Sequence, residues 1–107
     1  MEHEEKKLEE KCVKLAANAG IVSTKNQHLR RGVPDRSFFP KGCPETVFVE
    51  FKLPHTHLDP LQRHWCWKLA ERGKPVFVID NQAMFARLVL ARWGTGRTGT
   101  TRASRSR

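Results

Sequence analysis

The run Thr46-Val47-Phe48-Val49-Glu50-Phe51-Lys52 constrains this chain more than any other segment. Its β-branched and aromatic residues favour a strand, and strand side chains alternate between two faces. Val47, Val49 and Phe51 therefore share one face, and Phe48, Glu50 and Lys52 the other. Burying an uncompensated charge is costly, so the carboxylate and amine ending this strand need solvent, a partner or a bound ion. A solvated edge strand with a weak surface ion pair meets that need. A site that uses both charges meets it as well.

Asp35 favours the second reading. It lies fifteen residues before Glu50 and ends the stretch Gly32-Val33-Pro34-Asp35. Pro34 fixes its own φ, and Gly32 permits a tight backbone approach. Arg36-Ser37-Phe38-Phe39 reads as a short strand ending at Pro40. The turn-rich link from Pro40 to Glu45 lets the next strand return antiparallel, which puts Asp35 beside Glu50. Two hard carboxylates with a backbone carbonyl and waters are a donor set that Mg²⁺ prefers. In a chain of formal charge +9, that set suggests a metal-dependent nuclease.

The order Gly32-Val33-Pro34-Asp35-Arg36, Val49-Glu50-Phe51-Lys52, Pro60-Leu61-Gln62-Arg63 and Gly73-x-x-Val76-x-Val78-Ile79-Asp80 resembles a VRR-NUC domain. This domain is a branch of the PD-(D/E)xK nuclease superfamily that includes small phage proteins made of it alone. The resemblance runs from about Leu8 to Asp80. Singly its short motifs are common; in this order and spacing they are specific. It implies an α/β chain with a restriction-endonuclease-like mixed β-sheet flanked by α-helices. It implies Asp35 and Glu50 as metal ligands, the Phe51 backbone carbonyl as a third contact, and Lys52 orienting the attacking water. A glutamate of the first helix joins the site as a further metal ligand in this family, placed here at Glu9 with the adjacent Glu10 as alternative. A glutamine at Gln62 reaches in as well.

The resemblance further implies Mg²⁺ (or Mn²⁺) as cofactor, DNA as partner and in-line hydrolysis of a phosphodiester. Branched DNA such as a Holliday junction is the implied substrate, and cutting two strands with one small site per chain calls for a homodimer. A restriction- or repair-type nuclease on duplex or flap DNA is one alternative. A noncatalytic DNA-binding protein on the same fold is the other.

At 107 residues there is room for one modest core, which buries roughly 60–70% of the extended-chain surface. Residues 1–93 read as the nuclease-like domain, and 94–107 as a disordered basic C-terminal tail with four arginines and no acid. No run of eighteen apolar residues marks a membrane span, and the Glu/Lys-rich N-terminus shows no signal peptide. Cys12, Cys43 and Cys66 are odd in number and irregularly spaced, which favours a reduced, cytoplasmic chain. The phage-type resemblance places that cytoplasm in a bacterial host. Cys43, His55, His57, His64 and Cys66 match no usual zinc spacing.

Glu2 to Ala19 reads as a helix with Leu8, Cys12, Leu15 and Ala19 as its buried stripe; Glu9 borders that stripe beside Val13 and Ala16. Ile21-Val22-Ser23 reads as a strand. A basic loop follows to Arg31 with Lys25, His28, Arg30 and Arg31. Lys25, Arg30 and Arg31 either contact phosphates or are solvated. Arg36 is a further candidate DNA contact, or a structural ion pair with a carboxylate. Asp59, Pro60 and Gln62 form a helix start with a capping box, and Leu61, Trp65, Leu69 and Cys66 a core face, with Trp67 pointing elsewhere. Pro75 to Asp80 is apolar enough for a strand buried on both faces, parallel to that of Glu50. Asn81 caps a last helix, Gln82 to Arg92, whose Met84, Phe85, Leu88, Val89 and Trp93 pack inward or form a dimer surface.

Deleting residues 95–107 is expected to weaken nonspecific DNA binding and flatten its salt dependence, because counterion release scales with the cations engaged. Binding titrations at several salt concentrations would show this; an unchanged slope would assign the tail no part in binding.

Overall fold

The computed structural model describes residues 2–26 and 29–95. Helix α1 (Glu2–Asn18) leads into β1 (Ile21–Lys25), β2 (Arg36–Pro40) and β3 (Val47–Phe51), and α2 (Pro60–Glu71) crosses to β4 (Val76–Ile79). Helix α3 (Gln82–Phe85), a π-helical turn (Ala86–Leu90) and α4 (Ala91–Trp93) then follow without a break. The strands form one mixed sheet in the order β1-β2-β3-β4, so the chain is α/β. The first two pairings are antiparallel and the third is parallel, with Glu50 opposite Val78. β1 is longer than the sequence suggests, because Thr24 and Lys25 continue its ladder opposite Ser37 and Arg36.

The registers sort the sheet into two faces. Ile21, Phe38, Val47, Val49, Phe51 and Ile79 share one face, and all six are buried. α1 and the last helix cover it. Phe85 sits between Phe38 and Phe51, with ring centroids 5.4 and 6.5 Å away. α1 contributes Leu8, Cys12, Ala16 and Ala19. Leu15 is half-buried, because the contact line follows the i, i+4 ridge through Leu8, Cys12 and Ala16. Phe85, Val89 and Trp93 turn inward, and Trp93 Nε1 donates to Glu45 Oε1 at 3.3 Å.

The other face is thinly covered, which corrects two expectations. α2 packs against β4 but has no fully buried residue, and Leu61, placed in its core face, is 40% exposed. β4 is not buried on both faces: Ile79 is buried while Val78 is 38% exposed. The reason is position. β4 is an edge strand, and among the described residues α2 is the helix that packs against it on that side. Trp67 lies away from the sheet and is 60% exposed.

Gly94 and Thr95 fold back onto the body. The Gly94 N–H donates to the Leu90 carbonyl and the Thr95 N–H to the Ala19 carbonyl. Residues 96–107 of the basic tail, and His28 of the basic loop, lie outside the described residues. Among the described residues all three cysteines are free, and no helix is long and apolar enough to cross a membrane.

Phe85→Ala is expected to cost about 3–5 kcal/mol by emptying the space between two phenylalanines. Val22→Ala, at an exposed position, is expected to change stability by less than about 0.5 kcal/mol. Denaturant titration of both variants measures the difference, and equal effects would misplace the core.

Candidate active site

Asp35 owes its position to three constraints. The β2–β3 register pairs Arg36 with Val49, and one step further brings Asp35 opposite Glu50. Asp35 Oδ2 accepts a hydrogen bond from the Phe51 N–H at 2.9 Å, so the carboxylate is aimed along the end of β3. The bend before it is seated on α2. Gly32 has φ +89°, and a Cβ there would stand 2.6 Å from Leu61 Cγ and 2.9 Å from the Leu61 carbonyl oxygen. An L side chain at position 32 would therefore be strained and in collision.

Glu50 is 3% exposed and faces α2. Gln62 Nε2 donates to Glu50 Oε2 at 3.1 Å. The same side chain completes the capping box: its Oε1 accepts from the Asp59 N–H at 2.9 Å, while its own N–H donates to Asp59 Oδ1 at 2.8 Å. One glutamine thus starts the helix with one end of its amide and holds the carboxylate with the other.

The two carboxylates, with Glu9 and Gln62, line a cleft of ≈ 210 Å³ whose walls include Lys25, Arg30 and Arg31. Loss of water pushes both acids up. Glu50 is raised to about 8 by burial and then by the neighbouring Asp35 charge, with Lys52 opposing. Asp35 is raised by burial, lowered by the Phe51 N–H, raised by Glu9 and Glu5, and lowered by Lys52. Lys52, just past the end of β3, is thus close enough for its charge to act on both. Cys66, one turn beyond Gln62, is raised to about 11 by burial and by the charges of Glu50 and Asp35.

On α1 the structure separates Glu9 from Glu10. Glu9 is buried at the cleft, whereas Glu10 is exposed on another side of the helix, beside Lys7, Lys11 and Lys14. Glu9 is already engaged. Arg36 Nε donates to its Oε2 at 2.7 Å, and Lys25 Nζ stands 3.8 Å from the same oxygen. Arg36, whose Nη1 also donates to Ser23 Oγ at 3.3 Å, is in a structural ion pair rather than on the cleft wall. Two residues were not singled out from the sequence. Glu5, one turn before Glu9 on the same face and half-buried, raises both Asp35 and Glu50; its i−4 spacing from Glu9 was the available signal. Asn26, buried behind the bend, carried no local signal.

Among the described residues, no three His, Cys, Asp or Glu side chains form a metal cage. The donor set nonetheless fits Mg²⁺ or Mn²⁺, which keep several waters and need one or two carboxylates. Asp35 and Glu50 are hard, adjacent and poorly hydrated, and a divalent cation would relieve their mutual repulsion. Compared with known families, curated proteins and solved structures, the chain gives no match.

In the metal-free protein, Glu50 keeps its proton where the unfolded chain has lost it. Stability should therefore fall as pH rises from about 5 to about 8, the window between the ordinary 4.5 and the raised value near 8. Glu50→Gln is expected to remove that part of the slope in calorimetric melts. An unchanged slope would mean that Glu50 is ionised throughout.

Proposed function

We propose that this chain is a metal-dependent, structure-specific DNA endonuclease of the VRR-NUC type on a restriction-endonuclease-like fold. The observation that carries the reading is the pair Asp35 and Glu50. Two poorly hydrated carboxylates face each other across a strand ladder, in a cleft walled by Lys25, Arg30 and Arg31. Without a cation Glu50 escapes that repulsion only by holding its proton; a divalent ion between the two acids would let both ionise.

Asp35, Glu50 and the backbone carbonyl of Phe51 would hold Mg²⁺ or Mn²⁺. When bound, the ion supplies an acidified water and neutralises charge on the phosphate. Lys52 would orient the attacking water and stabilise negative charge as it develops. Gln62 keeps Glu50 in place while the helix cap keeps Gln62 in place. Glu9 holds Arg36 and Lys25 at the rear of the cleft, and Glu5 adds negative potential that strengthens cation binding. Arg30 and Arg31 would grip backbone phosphates, contacts that position DNA without reading its sequence. A branched DNA such as a Holliday junction is the proposed substrate. A homodimer would supply the second site for paired cuts.

Cleavage of a four-way junction and of a matched linear duplex, with Mg²⁺, Mn²⁺ or EDTA, tests this. Asp35→Ala and Glu50→Ala are each expected to reduce cutting by at least about 10²-fold, the scale of losing one electrostatic contact in a transition state, while DNA binding persists. Cutting of the linear duplex alone would favour a restriction- or repair-type nuclease. Tight binding without cutting under any metal would favour a noncatalytic DNA-binding protein.

A further inference from the structure

We propose that Asn26 is the positioning residue that fixes Asp35 for metal binding, a role that rests on the nuclease reading above. The β1–β2 ladder ends at Lys25 opposite Arg36, one step short of Asp35. Beyond that step Asn26 takes over. Its backbone N–H donates to the Asp35 carbonyl at 2.9 Å. Its Nδ2 donates to the Pro34 carbonyl at 3.0 Å and to Ser37 Oγ at 2.9 Å. Its Oδ1 lies 3.2 Å from the same hydroxyl, which can donate in return.

One residue therefore ties down the position before Asp35, Asp35 itself and the position two after it. The Asn26 carbonyl also accepts from the Leu29 N–H at 3.0 Å, so the loop that carries Arg30 and Arg31 is rooted on the same residue. Asparagine suits this place because its amide presents two donors and an acceptor in a rigid plane. It is 5% exposed, so water has little access to replace it. Losing the amide would leave the Pro34 carbonyl and the Ser37 hydroxyl buried and short of a partner. The bend would relax, and Asp35 would leave the geometry that a rigid ion requires.

The test is Mn²⁺ affinity of the full chain by titration calorimetry, well below the melting temperature. Asn26→Ala is expected to weaken binding about 10–100-fold, the usual effect of removing a group that orients a metal ligand. Ser37→Ala, which keeps the Asn26 bond to Pro34, is expected to weaken it less. Trp93→Ala, which empties the core where it meets Phe77 and Glu45 and touches none of the cleft residues, is expected to leave the affinity of the folded protein unchanged. Wild-type affinity in Asn26→Ala, with binding lost in Glu50→Ala, would overturn the positioning role while leaving the metal site standing. Wild-type affinity in Glu50→Ala as well would overturn the metal site and this proposal with it. If Asn26→Ala does not fold, Asn26→Ser, too short to span both flanks of the bend, takes its place. Tenfold weaker binding is expected there too, and unchanged binding would overturn the proposal.

Discussion

Two acids whose charges would repel each other stand side by side because the β2–β3 ladder leaves them no other place. The pairing of Ser37 with Phe48 and Phe38 with Val47 is driven by burial of the alternate face. Asp35 and Glu50 are carried along at its open end. The Phe51 N–H then bonds the Asp35 carboxylate, so even its direction is set by the sheet. Hydrophobic association of one face thus places the charged chemistry on the other. The rest of the cleft compensates that placement: Gln62 holds Glu50, and Lys52 lies within range of both acids.

The cations divide into two groups with different work. Arg36 and Lys25 converge on Glu9, which neutralises part of their charge at the rear of the cleft. Arg30 and Arg31 stand on the exposed bend. A polyanion entering the cleft would meet those two first. Because Glu9 and Arg36 are both largely buried, their pair is screened little by salt. Exposed arginines are screened strongly. Salt should therefore act on the approach of a ligand far more than on the architecture that receives it.

What could be read from the sequence was what local chemistry fixes. Thr46 to Lys52 alternates strongly enough to announce a strand, and Asp59-Pro60-Leu61-Gln62 carries every element of a helix start. The juxtaposition of Asp35 and Glu50 followed because the link between their strands is short. Arg36 stayed open between two roles, since its choice depends on α1 lying across the sheet. Glu5 and Asn26 were hidden for a similar reason: each matters through a partner far off in sequence. The poor cover of β4 and α2 depended on strand order, which no window of residues encodes. Leu15 gave way to Ala16 because the helix had a choice of two adjacent ridges, and only the sheet beneath decided between them.

The π-helical turn at Ala86–Leu90 has its own consequence. Its bonds run i to i+5, so it holds one residue more than the α-helical turn it replaces. Such a turn accommodates one residue beyond α geometry without breaking the helix. Taking that residue away would restore α geometry and swing everything after it by about 100° around the axis. Trp93 would then leave Phe77, whose ring centroid is 6.0 Å away, and Glu45, and Gly94 would no longer meet Ala19. The chain's length in this helix is thus a locked phase. It could be changed only by whole turns, which makes the segment a poor place for the one-residue length variation that surface loops accept.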